Sequence, residues 1–231
     1  MSEYEQIINE LHRLSRPESK AGMAQYGIQV DKALGISIPE LRNIARRVGK
    51  NHELALRLWD SEWHEARILA TMIADPEQLS ETLTEKWAMD LNSWDLCDQF
   101  CNNLLRKTAF AHRKALEWSG RPEEFVKRAG FVLMAVLAVH DKKSKDPVFT
   151  NFFPLIEREA FDNRNFVKKA VNWALRQIGK RNAALNREAI RTAQKIAKRE
   201  NPAGRWIAQD ALRELLSEPV QKKFQTGGGC L

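Results

Sequence analysis

The sequence predicts an all-α fold, a HEAT-like or armadillo-type α-solenoid of stacked helix pairs with a basic concave face. Three observations lead there. Apolar residues recur at three- and four-residue spacings through almost the whole chain, the mark of amphipathic helices. No stretch alternates with period two over a useful length, so strands are not expected. Gly and Pro stand almost entirely at joints, and helix pairs return roughly every 35 to 45 residues without a letter-level repeat. Such pairs cannot bury their apolar faces alone; they stack into a curved sheet of helices whose concave side commonly holds a ligand.

Ser2 caps a first helix that sets Ile7, Ile8, Leu11 and Leu14 on one side, and Pro17 opens a second, to about Tyr26. After a loop over 27–35, Ser37-Ile38-Pro39-Glu40 combines a cap, an early proline and an acid, which starts a helix that ends near Gly49. Segments 52–60 and 62–74 form a tight pair, 80–91 follows Pro76, and 94–106 comes next. A helix over 108–118 stops at Gly120. Pro122 begins a long helix to about Val139, apolar on every side through 129–139 and therefore central and buried. A loop over 140–147 carries Lys142, Lys143 and Lys145. Helices near 165–180, 186–199 and 202–217 complete a single domain of residues 1–220, and 221–231 is expected to be a flexible, Gly-rich tail.

The chain has 231 residues, enough to bury roughly 70 to 75% of its unfolded surface without a metal or disulfide. Three cysteines, two of them (Cys97, Cys101) inside a predicted helix and Cys230 in the tail, together with a polar start that reads as no signal peptide, fit a reducing cytoplasm. The longest uncharged apolar run, 129–139, is too short for a membrane span. Charge is unevenly spread: residues 1–115 hold 15 Lys and Arg against 17 Asp and Glu, residues 116–231 hold 22 against 13. A polyanion is expected at the basic half, unless those charges only solvate the surface.

Within 94–106, Trp94 and Asp98 stand four residues apart, so indole and carboxylate share one face. The apolar stripe there is Cys97, Phe100, Cys101 and Leu104, and Asp98 lies roughly 100° from its centre, at the rim of the core. A carboxylate against an aromatic wall suits work on positive charge; the plainer alternative is that Trp94 packs and Asp98 caps the helix or pairs with an arginine. In the helix near 165–180 the core stripe is Val167, Ala170, Val171, Ala174 and Ile178. Trp173 points roughly 130° away from it, with Phe166, Lys169, Arg176 and Lys180 within about 60° of the indole. Cations for phosphates beside an aromatic face for sugar or base suit nucleic acid; covering a neighbouring repeat is the other use for that indole. Arg128, at the entry of the buried helix, needs a partner, either Asp98 or a bound phosphate. Cys97 and Cys101, even with His112, read as core, no histidine stands in a Ser-His-Asp or Cys-His setting, and no Gly loop cradles phosphate, so neither metal nor cofactor is expected.

In order along the chain, Met23-Ala24-Gln25-Tyr26, Leu34-Gly35-Ile36-Ser37-Ile38-Pro39-Glu40-Leu41-Arg42, Ser93-Trp94-Asp95-Leu96-Cys97-Asp98, Lys127-Arg128-Ala129 and Val167-Lys168-Lys169-Ala170-Val171-Asn172-Trp173-Ala174-Leu175-Arg176 resemble the AlkD-like DNA alkylation repair glycosylases, over roughly residues 5–215. The resemblance implies a monomeric HEAT-like enzyme that wraps double-stranded DNA. It would be a monofunctional glycosylase hydrolysing the N-glycosidic bond of cationic N3- and N7-alkylated purines, without base flipping and without a cofactor. Carried over by motif, Asp98 is the catalytic carboxylate, Trp94 and Trp173 contact deoxyribose and backbone, and Arg128 holds a phosphate; Tyr26, Lys127, Phe166, Lys169, Arg176 and Lys180 are the expected DNA contacts. Relatives often carry a second Trp where Ser93 stands and two aromatics where Asn165 and Phe166 stand, so a thinner aromatic lining is implied here. A non-catalytic solenoid binding DNA, RNA or a protein through the same surface is the alternative.

Overall fold

A computed structural model describes residues 1–226. Among the described residues every regular element is helical and no strand occurs, so the protein is an all-α solenoid of stacked helix pairs. No helix among them is long and apolar enough to cross a membrane. The predicted Gly-rich tail from 227 onward, Cys230 included, lies outside the described residues. Residues 221–226, expected in that tail, belong instead to the last helix. Packing divides the chain into two compact units, Met1–Ala109 and Phe110–Leu231, where the sequence suggested one domain. A solenoid repeat touches only its neighbours, so a packing division falls between repeats.

The first unit holds α1 (Glu3–Arg13), α2 (Ser19–Gln25), α3 (Ile38–Val48), α4 (His52–Asp60), α5 (His64–Ile73), α6 (Glu81–Met89) and α7 (Trp94–Gln99). Ser2 with Glu5, and Ser37 with Glu40, close reciprocal capping boxes at α1 and α3, as their sequences predict. The α4 and α6 helices meet through Trp59 and Trp87, fully buried and stacked at 4.1 Å with an interplanar angle of 4°, with Phe100 beside both. Trp59 gives its indole N–H to Asp90 at 2.8 Å, which removes the cost of burying a polar edge. Contacts between α5 and the α7 segment keep nearly constant offsets, His64 to Asp95 and Thr71 to Asn103, so the two run parallel, 31 to 32 residues apart.

The second unit holds α8 (Ala111–Ser119), α9 (Glu124–His140), α10 (Asp146–Thr150), α11 (Phe153–Glu159), α12 (Asn165–Gly179), α13 (Ala183–Ala197), α14 (Pro202–Leu215) and α15 (Glu218–Thr226). The α9 helix is buried on all sides from Val126 to Ala138, as its unbroken apolar run requires. Gly130 lets it approach α8: a Cβ there would meet the Ser119 nitrogen at 2.6 Å. Asn172 to Asp210 and Arg176 to Glu214 bridge α12 and α14, each 38 residues apart, so these helices are also parallel. The short α10 and α11 were not read from the sequence; each spans fewer than three turns and carries a proline in its first turn, which leaves little periodicity to see.

Candidate active site

In the first unit the helix expected over 94–106 is three pieces. The α7 turns run from Trp94 to Gln99, a π-helical segment follows from Phe100 to Leu104, and a 3₁₀ turn closes it at Leu105–Lys107. Asn103 is the local cause. Its amide donates to Gln99 Oε1 and to Thr71 Oγ1 of α5, both at 3.0 Å, and Arg106 Nε donates to the Asn102 carbonyl at 2.6 Å. A side chain tied to the neighbouring helix widens the turn, and such widened turns concentrate at functional sites. The predicted apolar stripe survives intact: Cys97, Phe100, Cys101 and Leu104 are all fully buried, and neither cysteine is in a disulfide.

Trp94 and Asp98 lie on successive turns at the half-buried rim, as their spacing predicted. The indole N–H of Trp94 donates to the Tyr26 carbonyl at 3.0 Å, which fixes the ring and brings Tyr26, a residue 70% exposed, to the same place. Asp95 turns the other way. Its Oδ2 lies 2.8 Å from His64 Nε2 on α5, and His64 is 6% exposed. Burial pulls the His64 pKa down, but the hydrogen bond and charge of Asp95 outweigh it, and the net shift is upward. Burial likewise pushes Asp95 up, and its bond to and attraction by His64 carry it below the ordinary carboxylate value. The pair locks the first turn of α7, and with it Trp94 and Asp98, to α5.

The loop before α3 is held by a second buried acid. Glu65, 1% exposed, accepts the backbone N–H groups of Leu34 at 2.8 Å and Gly35 at 2.7 Å. Gly35 has φ +77°, and a Cβ there would meet the Arg16 carbonyl at 2.3 Å, so glycine is required. Neither His64 nor Glu65 was singled out from sequence. Adjacent polar residues at the start of an apolar helix are the only local sign of them, and their partners lie about 30 residues away.

In the second unit, α12 presents the predicted faces. Val167, Ala170, Val171, Ala174 and Ile178 are fully buried, while Trp173 is half-buried and Lys169 exposed. With the Gln177 amide turned so that its oxygen faces Trp173, the indole N–H donates to it at 3.1 Å, and Lys180 lies 3.3 Å from the same oxygen. Phe166 packs against Phe125 at 5.6 Å. Arg128 is 5% exposed and donates to the Phe166 carbonyl at 2.7 Å, so it reaches α12 from inside the unit.

The remaining expected DNA contacts are less free than the sequence suggested. Lys127 is 9% exposed and bonded to Glu159 at 2.6 Å and Asp162 at 3.3 Å. Arg176 donates to Glu214 at 2.7 Å and Lys180 to the same carboxylate at 2.6 Å; Asp210 lies 3.5 Å from Arg176. Burial raises the Glu214 pKa, and the two cations bring it below the ordinary value, so the carboxylate stays charged between them. Lys127 therefore serves the core, and Arg176 and Lys180 are partly neutralised. Among the described residues, Lys169 alone of the four expected cations is exposed with no acid beside it.

Stacked helices with parallel neighbours at near-constant offsets are the arrangement of a HEAT-like repeat protein. The sequence model of a family described as DNA alkylation repair enzyme matches residues 7–215, and the chain belongs to that AlkD-like family. A search of curated protein sequences finds no match. Among solved structures, one described as "A new family of proteins related to the HEAT-like repeat DNA glycosylases with affinity for branched DNA structures" shares the fold, with a TM-score of 0.75 at 21% identity over 93% of this chain and 96% of that one. The family is thus one named for repair of alkylated DNA, and the fold is one shared with a relative of the HEAT-like repeat glycosylases.

Proposed function

We propose that the protein is a monofunctional DNA glycosylase that releases N3- and N7-alkylated purines from duplex DNA, acting as a monomer in the cytoplasm. The observation that carries this reading is the Trp94–Asp98 pair on α7, with the indole pinned by Tyr26 and the helix start pinned by His64 and Asp95. An alkylated purine bears positive charge, and breaking its glycosidic bond moves positive charge onto the sugar. A carboxylate fixed beside an indole stabilises that charge and orients a water for attack at the anomeric carbon; the electron pair of the broken bond leaves with the neutralised purine. The negative face of an indole favours the same cation. Because the lesion is already a good leaving group, Asp98 acts on the sugar and the base stays in the stack, in line with the resemblance to glycosylases that do not flip it. In the second unit Trp173 contacts the DNA backbone and Lys169 meets a phosphate.

The test is release of 7-methylguanine or 3-methyladenine from methylated duplex DNA by the wild type and by Asp98→Asn. Excision by the wild type that collapses in the folded variant is expected. Wild-type DNA binding without excision of either base would leave a non-catalytic DNA-binding solenoid in its place; the similar solved structure is described by its affinity for branched DNA.

A further inference from the structure

The seam between α12 and α14 carries three rungs at the same offset. Two are polar: Asn172 with Asp210 at 2.7 Å, and Arg176 with Glu214 at 2.7 Å. At the third, nearest the helix starts, Lys168 Nζ stands 5.0 Å from the Trp206 ring centroid, and no acid among the described residues completes the pair. Trp206 is 38% exposed on a helix whose core face is already filled by Ala203, Ile207, Ala208, Ala211 and Leu215. Leaving that much indole in water forgoes burial worth about 25 cal/mol per Å². Beside the ring is a shallow cavity of about 350 Å³, lined with Arg205 and Gln209 among others and with Glu200 as its one acid. Arg205 is exposed and has no acidic partner among the described residues.

We propose that Trp206, with Lys168 and Arg205, is a further contact for duplex DNA, taking the sugar-phosphate backbone of one strand beside that met by α12. The inference rests on the DNA-binding part of the function proposed above. Its composition repeats that of α12, where Phe166, Lys169 and Trp173 combine aromatic faces with cations, and it lies on the parallel neighbour of that helix. Adjacent helices pack about 8–10 Å apart, whereas charges on one strand follow every 3.4 Å or so along the duplex axis, so successive helices meet roughly every third phosphate. Lys168 covers one part of the indole, and the open part is free to lie against a deoxyribose while Arg205 takes a phosphate. Lys168 over the ring and Arg205 in the cavity lining stand against one lining acid, Glu200, which favours an anionic partner. The paired aromatic surface favours nucleic acid over an acidic protein segment.

The experiment is fluorescence anisotropy of the full chain with an undamaged labelled duplex over a range of salt. Arg205→Ala should lower the slope of log affinity against log salt by about one unit. Trp206→Ala should weaken binding about tenfold with the slope unchanged, because the ring carries no charge, and Trp206→Phe should recover most of the loss. Lys195→Ala, an exposed cation of α13, serves as the control and should change neither. Wild-type slope in Arg205→Ala and wild-type affinity in Trp206→Ala, with the slope reduced by Lys169→Ala, overturn this contact while leaving the α12 interface intact. If neither Lys169→Ala nor Arg205→Ala alters the slope, the DNA-binding reading falls with it. Binding to poly-glutamate that Arg205→Ala abolishes, with duplex binding untouched, transfers the patch to an acidic protein partner.

Discussion

At Asp98 the side chain's charge and its size can be separated. Asp98→Asn keeps the volume and the half-buried position on α7, so the side chain still fills its place while stabilisation of a cationic sugar is lost. For an electrostatic group of this kind the expected fall is on the order of 10² to 10³ in the single-turnover rate of 7-methylguanine release, roughly 3 to 4 kcal/mol. Duplex affinity should hold or rise slightly, since an anion facing a polyanion has gone; excision at the wild-type rate removes Asp98 from the chemistry. The same separation applies to the cations. Lys169→Ala should lower the salt slope by about one unit, and Arg176→Ala by less, because Glu214 and Asp210 already hold its guanidinium. Lys127→Met should leave the slope alone and change stability, because this lysine is buried between Glu159 and Asp162. That difference was not legible in the sequence. The positions of Trp94, Asp98, Trp173 and Lys169 follow from helical spacing alone, which fixes the face on which a side chain stands. Whether a cation on that face is free depends on acids 32 to 38 residues away, and nothing local reports them.

Among the α-helices of the first unit, α7 is the least able to hold itself. It has six residues, makes no side-chain cap at Ser93, and runs into a π-helical segment, so its orientation depends on bonds to other elements. The sequence read 94–106 as one uninterrupted helix because the apolar stripe continues through it; the break comes from Asn103 reaching Thr71 of α5, a tertiary contact that leaves the stripe unchanged. The strongest tie is His64 to Asp95, and it titrates. The histidine's folded pKa is raised, so its contribution is full below the unfolded value of about 6.5 and is lost as pH rises through the folded one. The folded pKa of Asp95 is lowered, so its contribution is full above about 3.9 and is lost as pH falls through the folded value. The tie is therefore complete between about pH 4 and 6.5 and weakens on either side. His64→Gln should flatten the dependence of the melting temperature on pH from 6 to 9, and Asp95→Ala should cost about 1–3 kcal/mol at pH 6, since it leaves a buried imidazole unpaired. Urea unfolding at pH 6 and pH 9 measures both, and a wild-type pH profile in His64→Gln would mean that the pair does not titrate in this range.

For the whole molecule, the uneven charge visible in the sequence sharpens when it is assigned to the two units. Residues 1–109 hold 13 Lys and Arg against 17 Asp and Glu, and residues 110–231 hold 24 against 13. The excess in the second unit overstates what is available to a polyanion, since Lys127, Arg164, Arg176 and Lys180 each sit on a carboxylate. Exposed cations without an acidic partner among the described residues include Lys142, Lys143, Lys145, Lys169, Arg187 and Arg205. A duplex engages only those on one side of the unit, so about four phosphate contacts is the reasonable count, and counterion release then gives a slope near −3.6. Duplex affinity should accordingly fall by roughly two orders of magnitude between 50 and 200 mM monovalent salt, which an anisotropy titration reads directly. A slope well beyond this would require the cations now tied to acids to exchange those partners for phosphate. Asp210→Asn, which loosens Arg176, would then steepen the slope further. A slope near zero would mean that the basic unit does not meet DNA through these residues at all, whatever the excision assay shows.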